Sequence, residues 1–187
     1  MTQFLFSQDS KISLEVNFPI SLGNNFFGED YNGIVDVGAK YRIVNISNLN
    51  LGISVNGSYF KKKAKLYIPS YPGDFQNPYD ASEITNFTIL PRAFAELTLE
   101  SLPKLRPFVG LGYGFLIFNT ASRGVASPSS SVTLNGLNGN VGAYYLLTNS
   151  IYAQLQYDYI KLFDEDVLGQ PDANNVSIIK FGLGLLL

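Results

Sequence analysis

Glu15, Asp36, Lys40, Arg92, Glu96, Asp158 and Lys180 are isolated charges on sequence faces otherwise made of Gly, Asn, Ser, Thr and Gln. Residues so placed suit mutual neutralisation of ions inside a narrow interior, because an unpaired buried charge is strongly unfavourable. They do not suit the usual acid–base catalysis. The chain has no His and no Cys, so the commonest general base, the commonest metal ligand and all thiol chemistry are lacking. No enzymatic centre is expected, no cofactor is required and no metal site is assigned. Glu29, Asp30, Asp164, Glu165 and Asp166 fall between the patterned stretches, where solvated loop charge is the expectation; the last three gather oxygen ligands without the spacing of a known calcium loop. Lys61, Lys62, Lys63 and Lys65 form a second constellation, compact ammonium groups suited to lipid phosphates.

Eight stretches of alternating apolar and polar residues must position these groups. They run from residue 10 to 20, 32 to 44, 49 to about 62, 85 to 100, 107 to 118, 138 to 147, 151 to 159, and from about 176 to the end of the sequence. The gaps between them alternate long and short. In the last stretch Ile179, Phe181, Leu183, Leu185 and Leu187 share one face, and Lys180, Gly182 and Gly184 the other. A period of two over such lengths is a strand signal and opposes helix. An even count with three short turns and four long loops is the signature of an all-β, eight-stranded antiparallel up-and-down barrel that spans an outer membrane, short turns to the periplasm. Pro91 lies on the apolar face of the fourth stretch and predicts a broken ladder or a bulge. Residues 10–187 make one barrel domain; residues 1–9 are expected to be a signal remnant or a disordered segment, Phe4 to Ser7 resembling the tail of a secretory signal.

Composition decides which face looks outward. Of 187 residues 46% are hydrophobic and only 15% charged, against roughly 25% charged in an average soluble domain. A water-facing strand surface carries Lys and Glu, whereas this polar face is small and mostly uncharged. Small residues are what the inside of an eight-stranded barrel can hold. The apolar face therefore meets lipid, and no stretch approaches the ~20 apolar residues of a membrane-spanning helix. The net charge of −2 argues against nucleic acid. On the lipid face Tyr41 and Tyr145 would mark the periplasmic girdle, and Tyr59 and Tyr159 the outer one. Counted from the short-turn ends, Glu15 lies at the depth of Lys40 and Asp158 at that of Lys180, with Arg92, Glu96 and Asp36 completing a network that plugs the lumen. The longest gap carries Tyr67, Tyr71, Phe75 and Tyr79 among prolines, a semi-rigid segment packed on itself or open to contact.

At Pro107–Phe115, reading PFVGLGYGF, and at Phe181–Leu185, reading FGLGL, the chain resembles the outer-membrane β-barrel domain family of small OmpA-like and OmpX-like barrels. The likeness runs from about residue 10 onward. It implies residence in the outer membrane of a Gram-negative type of cell, assembly by the outer-membrane machinery through the C-terminal strand, and roles from structural to adhesive. Many relatives end in Phe where this sequence ends in Leu187. The resulting expectation is a monomeric barrel in outer-membrane lipid that works through its extracellular loops in structure, surface contact or binding of an envelope partner. The alternative is a lipocalin-like barrel, or small-molecule transporter, holding an apolar ligand in its lumen.

Overall fold

In a computed structural model, residues 10–23, 31–64, 82–121, 130–163 and 174–187 are described. Eight strands follow the chain: β1 (Ile12–Leu22), β2 (Asn32–Ile46), β3 (Leu49–Ala64), β4 (Ser82–Leu97), β5 (Leu105–Ala121), β6 (Ser130–Leu146), β7 (Ile151–Leu162) and β8 (Asn175–Leu186). Each pairs antiparallel with its sequence neighbours, and β8 returns to β1 with Val16 opposite Leu183. The sheet therefore closes and leaves no edge, so every ladder donor and acceptor has a potential partner within the wall.

Three prolines show how local chemistry shapes that wall. Pro cannot donate to a ladder, and each strand proline coincides with an interruption on one side. The β1–β2 register stops at Asn17 opposite Asp36, just before Pro19. The β4–β5 register stops at Glu96 opposite Phe108, just before Pro107. At Pro91 the same pair skips from Ile89 opposite Phe115 to Arg92 opposite Gly112, while the β3–β4 pairing continues through Val55 and Pro91. The expected broken ladder is present at Pro91, without a register shift.

Bulges occur instead in β2, where the register against β3 slips between Gly33 and Val35 and between Arg42 and Val44. Each inserts one residue, so Ile34 with Val35, and Ile43 with Val44, point outward consecutively. The alternation expected through 32–44 is therefore offset by one residue at each point. The loop expected over 120–132 is shorter than its Ser-rich sequence implied, since β5 runs to Ala121 and β6 begins at Ser130. The fourth strand ends at Leu97 rather than at residue 100.

At the short-turn end, Ser47 adopts φ 56° between β2 and β3, and Thr148 Oγ1 accepts the amides of Ser150 at 3.2 Å and Ile151 at 2.9 Å to form the β6–β7 turn. The outer surface of the wall is apolar: Val16, Val37, Ile53, Leu111, Val141, Leu155 and Leu183 are all exposed. The inner face is filled in three tiers. Towards the long loops, Phe60, Leu90, Leu116, Ile160 and Ile178 pack into one apolar cluster. At the middle lie the buried charges. Towards the short turns, Phe108, Tyr144, Leu146 and Tyr152 form a second cluster, with Leu186 against it.

Candidate functional site

The middle tier is built by the pleat. Because side chains alternate faces along a strand, Glu15 and Asn17 of β1, Asp36 and Lys40 of β2, Asn56 and Ser58 of β3, Arg92 of β4, Gln154, Gln156 and Asp158 of β7 and Lys180 of β8 all project inward and are buried. Glycine makes room for them. A Cβ on Gly112 of β5 would stand 2.0 Å from the Pro91 carbonyl oxygen and 2.8 Å from Arg92 Cγ.

Within this tier Lys180 is the hub, fully buried, with Nζ 2.7 Å from Asp36 Oδ2 and 2.9 Å from Asp158 Oδ2. Arg92 closes the other side of Asp158 through Nη1, and its Nη2 donates to Asn56 Oδ1. Asp36 also accepts from Asn17 at 2.7 Å, Asn56 at 3.0 Å and Ser58 at 2.5 Å. The Glu15–Lys40 pair, 3.0 Å apart, joins the same web because Asn56 donates to Glu15 Oε1 at 2.7 Å. Lys40 Nζ in addition sits 4.0 Å from the centroid of the Phe108 ring, a cation–π contact. Three carboxylates, Glu15, Asp36 and Asp158, thus face three cations, Lys40, Arg92 and Lys180, and the tier is neutral.

Glu96 stands apart from these six, which corrects its place in the expected network. Four residues of strand, about 13 Å, separate it from Arg92, too far for a shared partner. It is instead gripped by Arg42, with Nη2 2.8 Å from Oε2 and Nε 3.2 Å from Oε1. Asn50 adds a bond to Oε1 at 3.1 Å. The contact spans β3, where Gly52 is in register with Arg42 and Asn50 with Glu96, and a Cβ on Gly52 would meet the Phe94 ring at 2.9 Å.

Sequence comparison with curated proteins finds no match. The chain does match the outer membrane protein β-barrel domain family over residues 7–185. It belongs to that family. Several solved outer-membrane barrels share its fold. Ail, the attachment invasion locus protein of Yersinia pestis, solved with the heparin analogue sucrose octasulfate, superposes with a TM-score of 0.59 at 13% identity, covering 94% of this chain and 96% of that one. Neisserial surface protein A gives 0.57 at 14% identity, over 94% and 96%. OprG from Pseudomonas aeruginosa gives 0.57 at 12% identity, over 94% and 95%. At such identities the likeness is one of fold. The protein is an outer-membrane β-barrel, and its apolar outer wall lies in membrane lipid.

In such a barrel the short turns face the periplasm and the long loops the exterior. Tyr41 and Tyr145 project outward in the periplasmic half, 43% and 48% exposed, and Tyr59 and Tyr159 in the outer half, half-buried and 40% exposed respectively. At the outer end of β3, Lys61 is exposed and Lys62 stands 5.3 Å over the Tyr31 ring. Lys63 is placed by its backbone, opposite Glu83. Lys65 lies outside the described residues, as do residues 1–9, the loop carboxylates Glu29, Asp30, Asp164, Glu165 and Asp166, and the loop aromatics from Tyr67 to Tyr79. Among the described residues no three acidic side chains gather as metal ligands.

Sequence reasoning missed the outer apolar tier and the amides that stitch the charges together. The tier had a signal. In Phe115–Phe118, reading FLIF, both faces of β5 are apolar, as a strand buried on both sides requires. Asn17, Asn56 and Gln154 had none beyond their place on the polar face, since an amide adapts to whichever charges the register brings near.

Proposed function

We propose that this outer-membrane barrel is closed to solute flow and acts at its surface, with Lys61, which faces outward at the extracellular end of β3, engaging the phosphates of outer-leaflet lipid. The observation that carries the reading is the packing of the lumen. Among the described residues Asp36, Asp158 and Lys180 have no solvent exposure and lie between two apolar clusters, which supports a lumen without an open water path. An apolar ligand in the lumen would need inward-facing apolar surface around free space; here that surface is spent on itself. Work by this protein then falls to the rim and to the loops, in surface contact, structure or the holding of an envelope partner. A lysine at the height where lipid headgroups begin supplies a point charge for phosphate, whereas Lys62 faces inward over the Tyr31 ring of the outer apolar tier.

The test has two arms. In planar bilayers the purified barrel should give no stable large-conductance steps. In native mass spectrometry from detergent it should retain phosphatidic acid over phosphatidylcholine, and the K61Q variant should lose that preference while K62Q keeps it. Stable porin-sized currents would refute closure, and unchanged retention by K61Q would refute the lysine contact. Displacement of the lipid by sucrose octasulfate, the sulfated sugar found on Ail, would place sulfated glycans on the same lysine.

A further inference from the structure

Beneath the inner apolar cluster the periplasmic mouth holds a small polar cavity of about 40 Å³, lined among others by Arg42, Ser47, Glu96, Arg106, Tyr144 and Asn149. Its charges do not balance as those of the middle tier do. Two guanidiniums face one carboxylate, and that carboxylate is already committed: Glu96 Oε1 accepts from Arg42 Nε and Asn50 Nδ2, and Oε2 from Arg42 Nη2.

Arg106 is what remains. Its Nη1 lies 3.8 Å from Glu96 Oε1, beyond hydrogen-bond distance, while its side chain is only 14% exposed. The one hydrogen bond it makes among the described residues runs from Nε to the Pro103 carbonyl at 3.4 Å. A guanidinium carries five donors in a fixed fork, so beyond the 3.8 Å ion pair with Glu96 the terminal nitrogens of Arg106 find no hydrogen-bond acceptor among the described residues and line the cavity. Arg42 behind it adds a second positive charge, and Lys11 and Lys104 add more at the same end of the barrel.

We propose that this mouth is a binding site for a single carboxylate group presented from the periplasm, taken bidentately by Arg106 within the field of Arg42. Size and shape select the group. At roughly 10–15 Å³ for each water-sized position, 40 Å³ holds about three such positions, room for a planar two-oxygen head. The fork of Arg matches a carboxylate in plane, and Ser47 and Asn149 line the same cavity as neutral donors. A carboxylate so held would tether the barrel's inner face to an acidic periplasmic partner while its outer rim stays free for other contacts.

The experiment is an NMR titration of the refolded, full-chain barrel in detergent micelles with sodium acetate, against sodium chloride and inorganic phosphate at matched ionic strength. Acetate should shift the Arg106 side-chain Nε–H signal and the Ser47 and Asn149 amides in a saturable way. R106Q should weaken the binding by roughly tenfold, as loss of a charge-assisted contact implies. R106K, which keeps the charge and loses the fork, should fall between. K161Q removes a charge at the opposite, long-loop end of the barrel and should bind as the parent does. Shifts equal in acetate and chloride, no saturation, or R106K matching the parent would overturn the carboxylate site. Tighter saturation with phosphate than with acetate would overturn the planar selectivity.

Discussion

Replacing Lys180 by Met tests the three-tier lumen most directly. Met keeps the length and volume of the side chain while removing its charge, leaving Asp36 and Asp158 without the ammonium 2.7 and 2.9 Å away. Breaking a buried ion pair typically costs 3–5 kcal/mol, because the surviving charge stays desolvated. Here two carboxylates lose a shared partner, which pushes the cost up. Each also keeps others, Ser58, Asn17 and Asn56 for Asp36, and Arg92 and Gln156 for Asp158, which pulls it down. The expected loss is about 4 kcal/mol. With an unfolding slope of about 3 kcal/mol per molar urea, the midpoint should fall by roughly 1.3 M. The measurement is equilibrium urea unfolding from lipid vesicles, followed by far-UV circular dichroism, since the chain has no Trp. Adding Asp158→Asn should restore part of the loss, because the double variant again has equal numbers of charges in the tier. A K180M loss below about 1 kcal/mol would mean that water reaches these charges and that the tier is not sealed. A double variant less stable than K180M would show that the two carboxylates are not coupled through Lys180.

Gly184→Ala should cost about 1–3 kcal/mol, the usual range for overpacking, because the new Cβ would lie 2.0 Å from the Tyr152 ring; Tyr152→Leu in the same chain should recover much of it in the same urea assay. Phe60→Ala with Leu116→Ala removes two fully buried members of the outer cluster, each at about 3 kcal/mol. If that cluster is the outer seal, the pair should raise leak current in planar bilayers where K180M alone does not. Pro91→Val should stabilise the barrel by about 1 kcal/mol, the worth of one hydrogen bond, by supplying an amide to the interrupted β4–β5 ladder; hydrogen exchange should report new protection at residue 91.

Much of the fold was written in the period of two. The faces of β1, β5, β7 and β8 follow from alternation, and three short turns between long loops gave the topology. What alternation does not encode is a shift of register, because a bulge replaces one apolar residue with two. Ile34–Val35 and Ile43–Val44 read locally as ordinary branched strand residues. The Glu15–Lys40 and Asp158–Lys180 contacts follow from depth counted along neighbouring strands. The Arg42–Glu96 contact spans an intervening strand, beyond what pairing of neighbouring strands predicts. Depth along neighbouring strands therefore could not name Arg42 as the partner of Glu96.

The middle tier also constrains how the protein reaches its native state. Lys180 and Asp36 lie 144 residues apart in the chain, and Gln154 and Asn17 137 apart. These are contacts between side chains at opposite ends of the chain. While the cylinder stands open, Glu15–Lys40 and Asp158–Lys180 can pair on neighbouring strands, but Asp36 lacks Lys180 and Arg92 lacks Asp158, each at a cost of several kcal/mol. Full compensation arrives only when the barrel closes and β8 docks on β1. Insertion and closure are thereby bound into one cooperative event, and a half-inserted hairpin array has no stable resting point in the membrane.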